Sequence, residues 1–141
     1  MVDALCKELI MRKEEAVDSE LQTIYLGGGT PSILTYDELR QLFDTIYSYY
    51  KVSPTAEITI ECNPDDFFRL HTPEQLLQQL TSLGINRLSL GVQSFFEEDL
   101  RLMNRVHTTT QVTTLLPIAS QYFDNITIDL IYGIPMMSNE R

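Results

Sequence analysis

Three short runs of alternating side chains end on groups that can hold or act on a polar ligand. They are Ile58-Thr59-Ile60-Glu61, Leu88-Ser89-Leu90-Gly91-Val92-Gln93 and Ile126-Thr127-Ile128-Asp129. Successive side chains of a strand point to opposite faces, so Ile58/Ile60, Leu88/Leu90/Val92 and Ile126/Ile128 form one apolar face. Thr59/Glu61, Ser89/Gly91/Gln93 and Thr127/Asp129 form the other, and Glu61, Gln93 and Asp129 are expected to converge at one edge. A fourth run, Thr23-Ile24-Tyr25-Leu26, breaks at the same level into Gly27-Gly28-Gly29-Thr30, where bare backbone lets a bound molecule come close. Glu61 with Asp129 would also suit the paired acids of a glycosidase, although no neighbouring aromatic platform for a sugar is evident.

Elements that could carry these runs are marked by their starts. Thr35…Glu38, Thr72…Gln75, Ser94…Glu97 and Thr108…Gln111 fit the capping box, in which the first side chain takes an orphan amide and the last reaches back. Behind the first box, Leu39, Leu42, Phe43, Ile46, Tyr47 and Tyr50 recur at helical spacing. Leu76, Leu77, Leu80 and Leu83 do the same, with Pro73 at the first helical position and Gly84 as the stop. Val2, Leu5, Cys6 and Leu9 predict a helix at the start. Pro117 removes one backbone bond from the helix after Thr108 and is expected to kink it.

The order is a helix followed by strand–helix steps, an α/β pattern that calls for parallel strands. Central strands of a doubly wound sheet are covered on both sides and read aliphatic on both, whereas these are aliphatic on one. A (β/α) barrel fits: aliphatics face the outer helices, small and polar residues face the lumen, and functional groups gather at the carboxyl ends of the strands. A complete TIM-type barrel has roughly eight strands in about 250 residues. Four strands in 141 residues predict a partial barrel forming one domain, residues 1–141. It begins with a helix lacking its preceding strand and ends at a strand-to-helix loop, Pro135-Met136-Met137-Ser138-Asn139.

A net charge of -10 with ten scattered Lys and Arg argues against nucleic acid or an anionic membrane as partner. No apolar stretch approaches a membrane span and no signal peptide is evident, so the cytoplasm is the expected location. Cys6 and Cys62 are far apart and outside any close-spaced metal pattern, which predicts ordinary buried thiols.

Five motifs, in order and at similar spacing, give the chain a resemblance. Tyr25-Leu26-Gly27-Gly28-Gly29-Thr30-Pro31-Ser32, Glu57-Ile58-Thr59-Ile60-Glu61-Cys62-Asn63-Pro64, Asn86 through Phe95, Asn104-Arg105-Val106-His107 and Asp129-Leu130-Ile131-Tyr132-Gly133-Ile134-Pro135 resemble the radical S-adenosylmethionine (SAM) enzymes related to oxygen-independent coproporphyrinogen III oxidase. The resemblance implies that Gly28, Gly29 and Thr30 meet the methionyl end of SAM and that Arg105 pairs with its carboxylate. It places Gln93 and Asp129 at the ribose hydroxyls and Glu61 at the ribose or the methionyl amine. Two carboxylates also suit a ligand bearing a sulfonium and an ammonium. Ser94 after Gln93, and His107 after Arg105, are more similar to the branch that binds haem than to the branch that decarboxylates coproporphyrinogen III.

Family chemistry further implies a 4Fe–4S cluster on three thiolates in C-x-x-x-C-x-x-C, with SAM on the open iron. No such spacing exists here, so the expectation is a core fragment whose cluster strand and later barrel units lie elsewhere, inactive on its own as a radical generator. A non-catalytic SAM- or haem-binding module is the alternative reading. Dinucleotide binding fits poorly, because Ser32 stands where the third glycine of G-x-G-x-x-G belongs. Unpaired sheet edges and uncovered aliphatics of a partial barrel predict self-association.

Overall fold

The computed structural model describes residues 1–69 and 72–135. His71, expected at the surface, and residues 136–139 of the last loop lie outside the described residues. Four parallel strands, β1 (Glu20–Leu26), β2 (Lys51–Cys62), β3 (Arg87–Gln93) and β4 (Asn125–Leu130), pair in chain order in one sheet. A doubly wound sheet reverses strand order at a switch point. This sheet never reverses, as a segment of a (β/α) barrel requires.

Register aligns the aliphatic face strand by strand: Ile24 with Ile58, Leu26 with Ile60, Ile60 with Leu88, and Leu88 with Ile126. Five helices accompany the strands: α1 (Val2–Arg12), α2 (Tyr36–Tyr49), α3 (Pro73–Ser82), α4 (Glu97–Leu102) and α5 (Thr109–Ala119). Ile60, Leu88, Leu90 and Val92 are completely buried in one core with Phe43, Leu77, Leu80 and Leu115. Each such side chain contributes about 1.5–3 kcal/mol by leaving water, so the apolar face fixes which side of the strands remains for the lumen. On β4 the match is incomplete: Ile128 is 37% and Leu130 53% exposed, because no described helix covers that strand.

Helix starts follow the sequence pattern at three places and depart from it at one. Thr35/Glu38, Thr72/Gln75 and Thr108/Gln111 form reciprocal capping boxes at α2, α3 and α5. Ser94 and Glu97 do not form the expected box. The Ser94 hydroxyl donates to Asp99 Oδ2 and accepts from Phe96 N–H, while Glu97 Oε1 accepts from the Thr109 amide and hydroxyl. Glu97 therefore serves the start of α5 and not its own helix, and these two bonds hold its carboxyl below the usual range. A box that the sequence reading did not anticipate joins Asn63 to Asp66.

Three further departures concern burial, strand length and the proline in α5. Tyr47 and Leu5, expected in apolar stripes, are 47% and 42% exposed, since α1 and α2 bury only part of each stripe. Strand β2 runs seven residues upstream of Ile58, beginning at Lys51, and its pairing with β1 jumps from Leu21–Val52 to Thr23–Glu57. Pro54 falls in that irregularity, where a missing amide donor costs no ladder bond. Helix α5 continues through Pro117 to Ala119, at the loss of the one bond that an amide there would give to the Thr113 carbonyl.

Candidate functional site: a polar pocket across the strand ends

At the carboxyl ends of the strands lies an open hollow of about 270 Å³, lined by Gly29, Thr30, Glu61, Asn63, Ser89, Gly91, Gln93, Arg105 and Asp129 among others. Six of the seven residues singled out from sequence thus share one pocket. The seventh, Gly28, touches it through Glu61: its N–H donates to Glu61 Oε2 at 3.2 Å. Gly28 and Gly29 have φ of 80° and 74°, the left-handed region that side chains with a Cβ avoid. Space beside both is open to a ligand.

Glu61 is held from two sides. Tyr25, on the lumen side of β1, donates its hydroxyl to Glu61 Oε1 at 2.8 Å. The carboxylate beside it pushes the phenol above its ordinary value, so Tyr25 remains a donor at neutral pH. On β3, the Ser89 hydroxyl points to Asp129 Oδ2 at 3.5 Å. Thr30 Oγ1 accepts from Asn63 Nδ2, and Asn63 N–H and Ser32 Oγ both donate to Asp66 Oδ2, tying the glycine turn to the loop after β2.

Gln93 reaches the pocket by a route that strand alternation does not describe. Its φ is 66°, and Ser94 N–H donates to Val92 O at 2.8 Å, so a three-residue turn is centred on it. Ladder pairing slips there, from Leu90–Ile128 to Gln93–Leu130, and Gln93 O takes the Ile131 amide. The side chain folds back over Gly91, where a Cβ would come within 2.9 Å of Nε2. Gln93 is only 8% exposed, yet its amide has no side-chain hydrogen bond among the described residues. Arg105 likewise has no carboxylate partner there, although it shares the pocket with two acids.

Ser89 and Asn63 line the pocket, and Tyr25 reaches it through Glu61; the sequence reading assigned none of the three. Tyr25 and Ser89 lie on the lumen side of the same alternation, which was signal enough to find them; Asn63 needed the turn after β2. Among the described residues no group of three or more His, Cys, Asp or Glu side chains is placed to hold a metal. Cys62 is buried, which pushes its thiol far above the ordinary range and keeps it protonated. With Cys6 and Cys62 its two cysteines, both buried, this chain does not fit a three-thiolate cluster site. No described helix is long and apolar enough to cross a membrane.

The pattern of the Radical SAM superfamily matches residues 4–141. The chain belongs to the radical SAM superfamily. It is 36% identical over 140 residues to the haem chaperone HemW of Lactococcus lactis, covering 99% of this chain and 36% of that protein. It is 34% identical over 116 residues to the oxygen-independent coproporphyrinogen III oxidase of Synechocystis, covering 82% of this chain and 24% of that protein. Among solved structures it resembles the Escherichia coli coproporphyrinogen III oxidase HemN, a radical SAM enzyme, at TM-score 0.87 and 34% identity, over 98% of this chain and 31% of that one. The chain spans about a third of the length of the first curated relatives it matches. Fold and sequence thus agree with this radical SAM group.

Proposed function

We propose that this chain supplies the SAM-binding strand ends of a radical SAM protein related to the haem chaperones and the oxygen-independent coproporphyrinogen III oxidases. Charge balance in the pocket carries the reading. Two carboxylates and one guanidinium line it, and SAM brings the complement: a sulfonium, an ammonium and a carboxylate. Arg105 would take the ligand carboxylate in a forked pair. Glu61 would face the ammonium or a ribose hydroxyl, Gln93 and Asp129 the ribose, and Gly28, Gly29 and Thr30 the methionyl backbone. The amide of Gln93 and the guanidinium of Arg105 have no side-chain hydrogen bond among the described residues, and both line the pocket, which supports a ligand that bonds to both.

When bound in such a protein, SAM supplies radical chemistry through reductive cleavage at its sulfonium. This chain's residues would orient it and hold its charges. Calorimetric titration tests the reading: SAM or S-adenosylhomocysteine should bind, and Asp129→Ala or Gln93→Ala should weaken binding. A folded sample that binds neither ligand overturns it.

Of the two branches, haem chaperone is the reading we favour for the whole protein. Ser94 and His107 support it, as does the broader coverage of the chaperone relative, 99% against 82% of this chain. Haem uptake followed at the Soret band, without conversion of coproporphyrinogen III, is the expected behaviour of the full protein; decarboxylation would reverse the assignment. A glycosidase reading gains nothing from the site, since both Glu61 oxygens are engaged and no aromatic ring lines the pocket. Exposed aliphatics on β4 support self-association of this chain, and a dispersed monomer in sedimentation at high concentration would count against it.

A further inference from the structure

We infer that His107 is a positioning residue that sets Gln93 and Arg105 for the same ligand, an inference that rests on the SAM-site reading above. Its imidazole is 1% exposed, and Nε2 lies 2.9 Å from Val92 O. A carbonyl only accepts, so Nε2 carries the proton and donates. Val92 O also takes the Ser94 amide that closes the turn around Gln93. The histidine therefore braces the one carbonyl on which the left-handed conformation of Gln93 depends. Such backbone persists only where its surroundings over-determine it.

His107 also stands two residues after Arg105, and the chain before Arg105 is equally constrained. Asn104 has φ of 55°, its N–H donates to Arg101 O, and the Arg105 N–H donates to Leu100 O. This is the left-handed helix stop in which the two residues past the cap return to carbonyls of the last turn. Arg105 is thus clamped between the end of α4 on one side and the strand end of β3 on the other. One imidazole links the segment that carries the guanidinium to the turn that carries the carboxamide. Asp65 Oδ1, 3.9 Å from Nδ1, faces the other ring nitrogen.

The test is titration of the 141-residue chain with S-adenosylhomocysteine, comparing wild type, His107→Ala, His107→Gln, Arg105→Ala and the Arg105→Ala/His107→Ala double variant. His107→Ala should weaken binding roughly tenfold, comparable with loss of a charged contact. His107→Gln, whose amide nitrogen reaches the place of Nε2, should restore affinity to within about threefold of wild type. The double variant should lose less than the sum of the two single losses, because the part of the His107→Ala loss that acts through Arg105 is already gone while the part through Gln93 remains. Circular dichroism establishes that each variant is folded. Should His107→Ala fail to fold, His107→Gln against His107→Asn makes the same comparison, since the shorter amide falls short of Val92 O; loss of the fold in every variant makes the histidine a core residue and overturns the proposal. Wild-type affinity in His107→Ala, no recovery in His107→Gln, or additive losses in the double variant overturn it while the SAM site stands. No binding by folded wild type, or Arg105→Ala at wild-type affinity, overturns the SAM-site reading and this inference with it.

Discussion

At the amino-terminal end of the lumen face, Arg87 donates to Glu57 Oε1 and to Thr127 Oγ1, and Asn125 Nδ2 donates to Glu57 Oε2. At the carboxyl-terminal end of the same face, Gln93 and Arg105 have no side-chain partner among the described residues. Both ends are polar; the first is built from alternating strand residues, the second from the turn that ends β3 and the loop after α4. One end completes its own bonds and so contributes to holding neighbouring strands together. The other leaves a carboxamide and a guanidinium open at a pocket, which is what a binding site requires of a rigid frame. Polarity within a barrel lumen therefore does not mark function; incompleteness of the polar network does.

The comparison can be broken at either end. Arg105→Ala should give the largest effect, a loss of S-adenosylhomocysteine affinity of about 10- to 100-fold, following the roughly 1.5–3 kcal/mol of a charged hydrogen bond. Its melting temperature should be unchanged, because the side chain has no hydrogen bond or ion pair among the described residues. Arg87→Ala should do the reverse. Its ion pair with Glu57 is partly exposed, 25% and 43% by side chain, so urea denaturation should show a loss of about 1 kcal/mol or less, with affinity retained. If Arg87→Ala removes binding instead, the division between the two ends is wrong.

Gly91→Ala sharpens the contrast. The added methyl would meet the movable end of Gln93 at 2.9 Å and Asn63 Oδ1 at 3.2 Å, with backbone no nearer than an ordinary contact to Cys62 O at 3.8 Å, so the variant should fold with stability changed by about 0.5 kcal/mol or less while affinity falls about threefold. The smallest effect concerns Glu97, an acid whose Oε1 is engaged at the start of α5. Its folded carboxyl lies below the ordinary value of 4.5 because it accepts from Thr109. A depressed carboxyl contributes stability that is present above the ordinary value and lost as pH falls through the folded one. Glu97→Gln should therefore flatten the acid limb of urea midpoint against pH below about 4.5, without altering binding at neutral pH. An unchanged acid limb would remove Glu97 from the start of α5.

Much of the frame could be read directly. Period-two alternation in Ile58–Glu61, Leu88–Gln93 and Ile126–Asp129 assigned the core face and the lumen face, and every residue singled out for the site is in the pocket or bonded to a group that lines it. Three of four capping boxes formed as written. The Ser94…Glu97 pattern did not, because a capping box is a spacing rule and Glu97 had a second amide within reach at Thr109. Burial of Tyr47 was overestimated for a similar reason: periodicity states which face a residue occupies, not how much of that face its neighbour covers.

What the sequence by itself determined is therefore the class of fold, the division of each strand into two faces, and the set of polar side chains at the strand ends, since all three follow from local periodicity and residue type. Only the tertiary structure decided how that set is held. The turn that swings Gln93 over Gly91, the grip of Tyr25 and Gly28 on Glu61, and the buried imidazole joining Val92 to the Arg105 segment are contacts between residues distant in the chain or between backbone atoms. Their physical origin is the demand that each buried donor find an acceptor in three dimensions, and the spacing of letters along a chain does not encode that match.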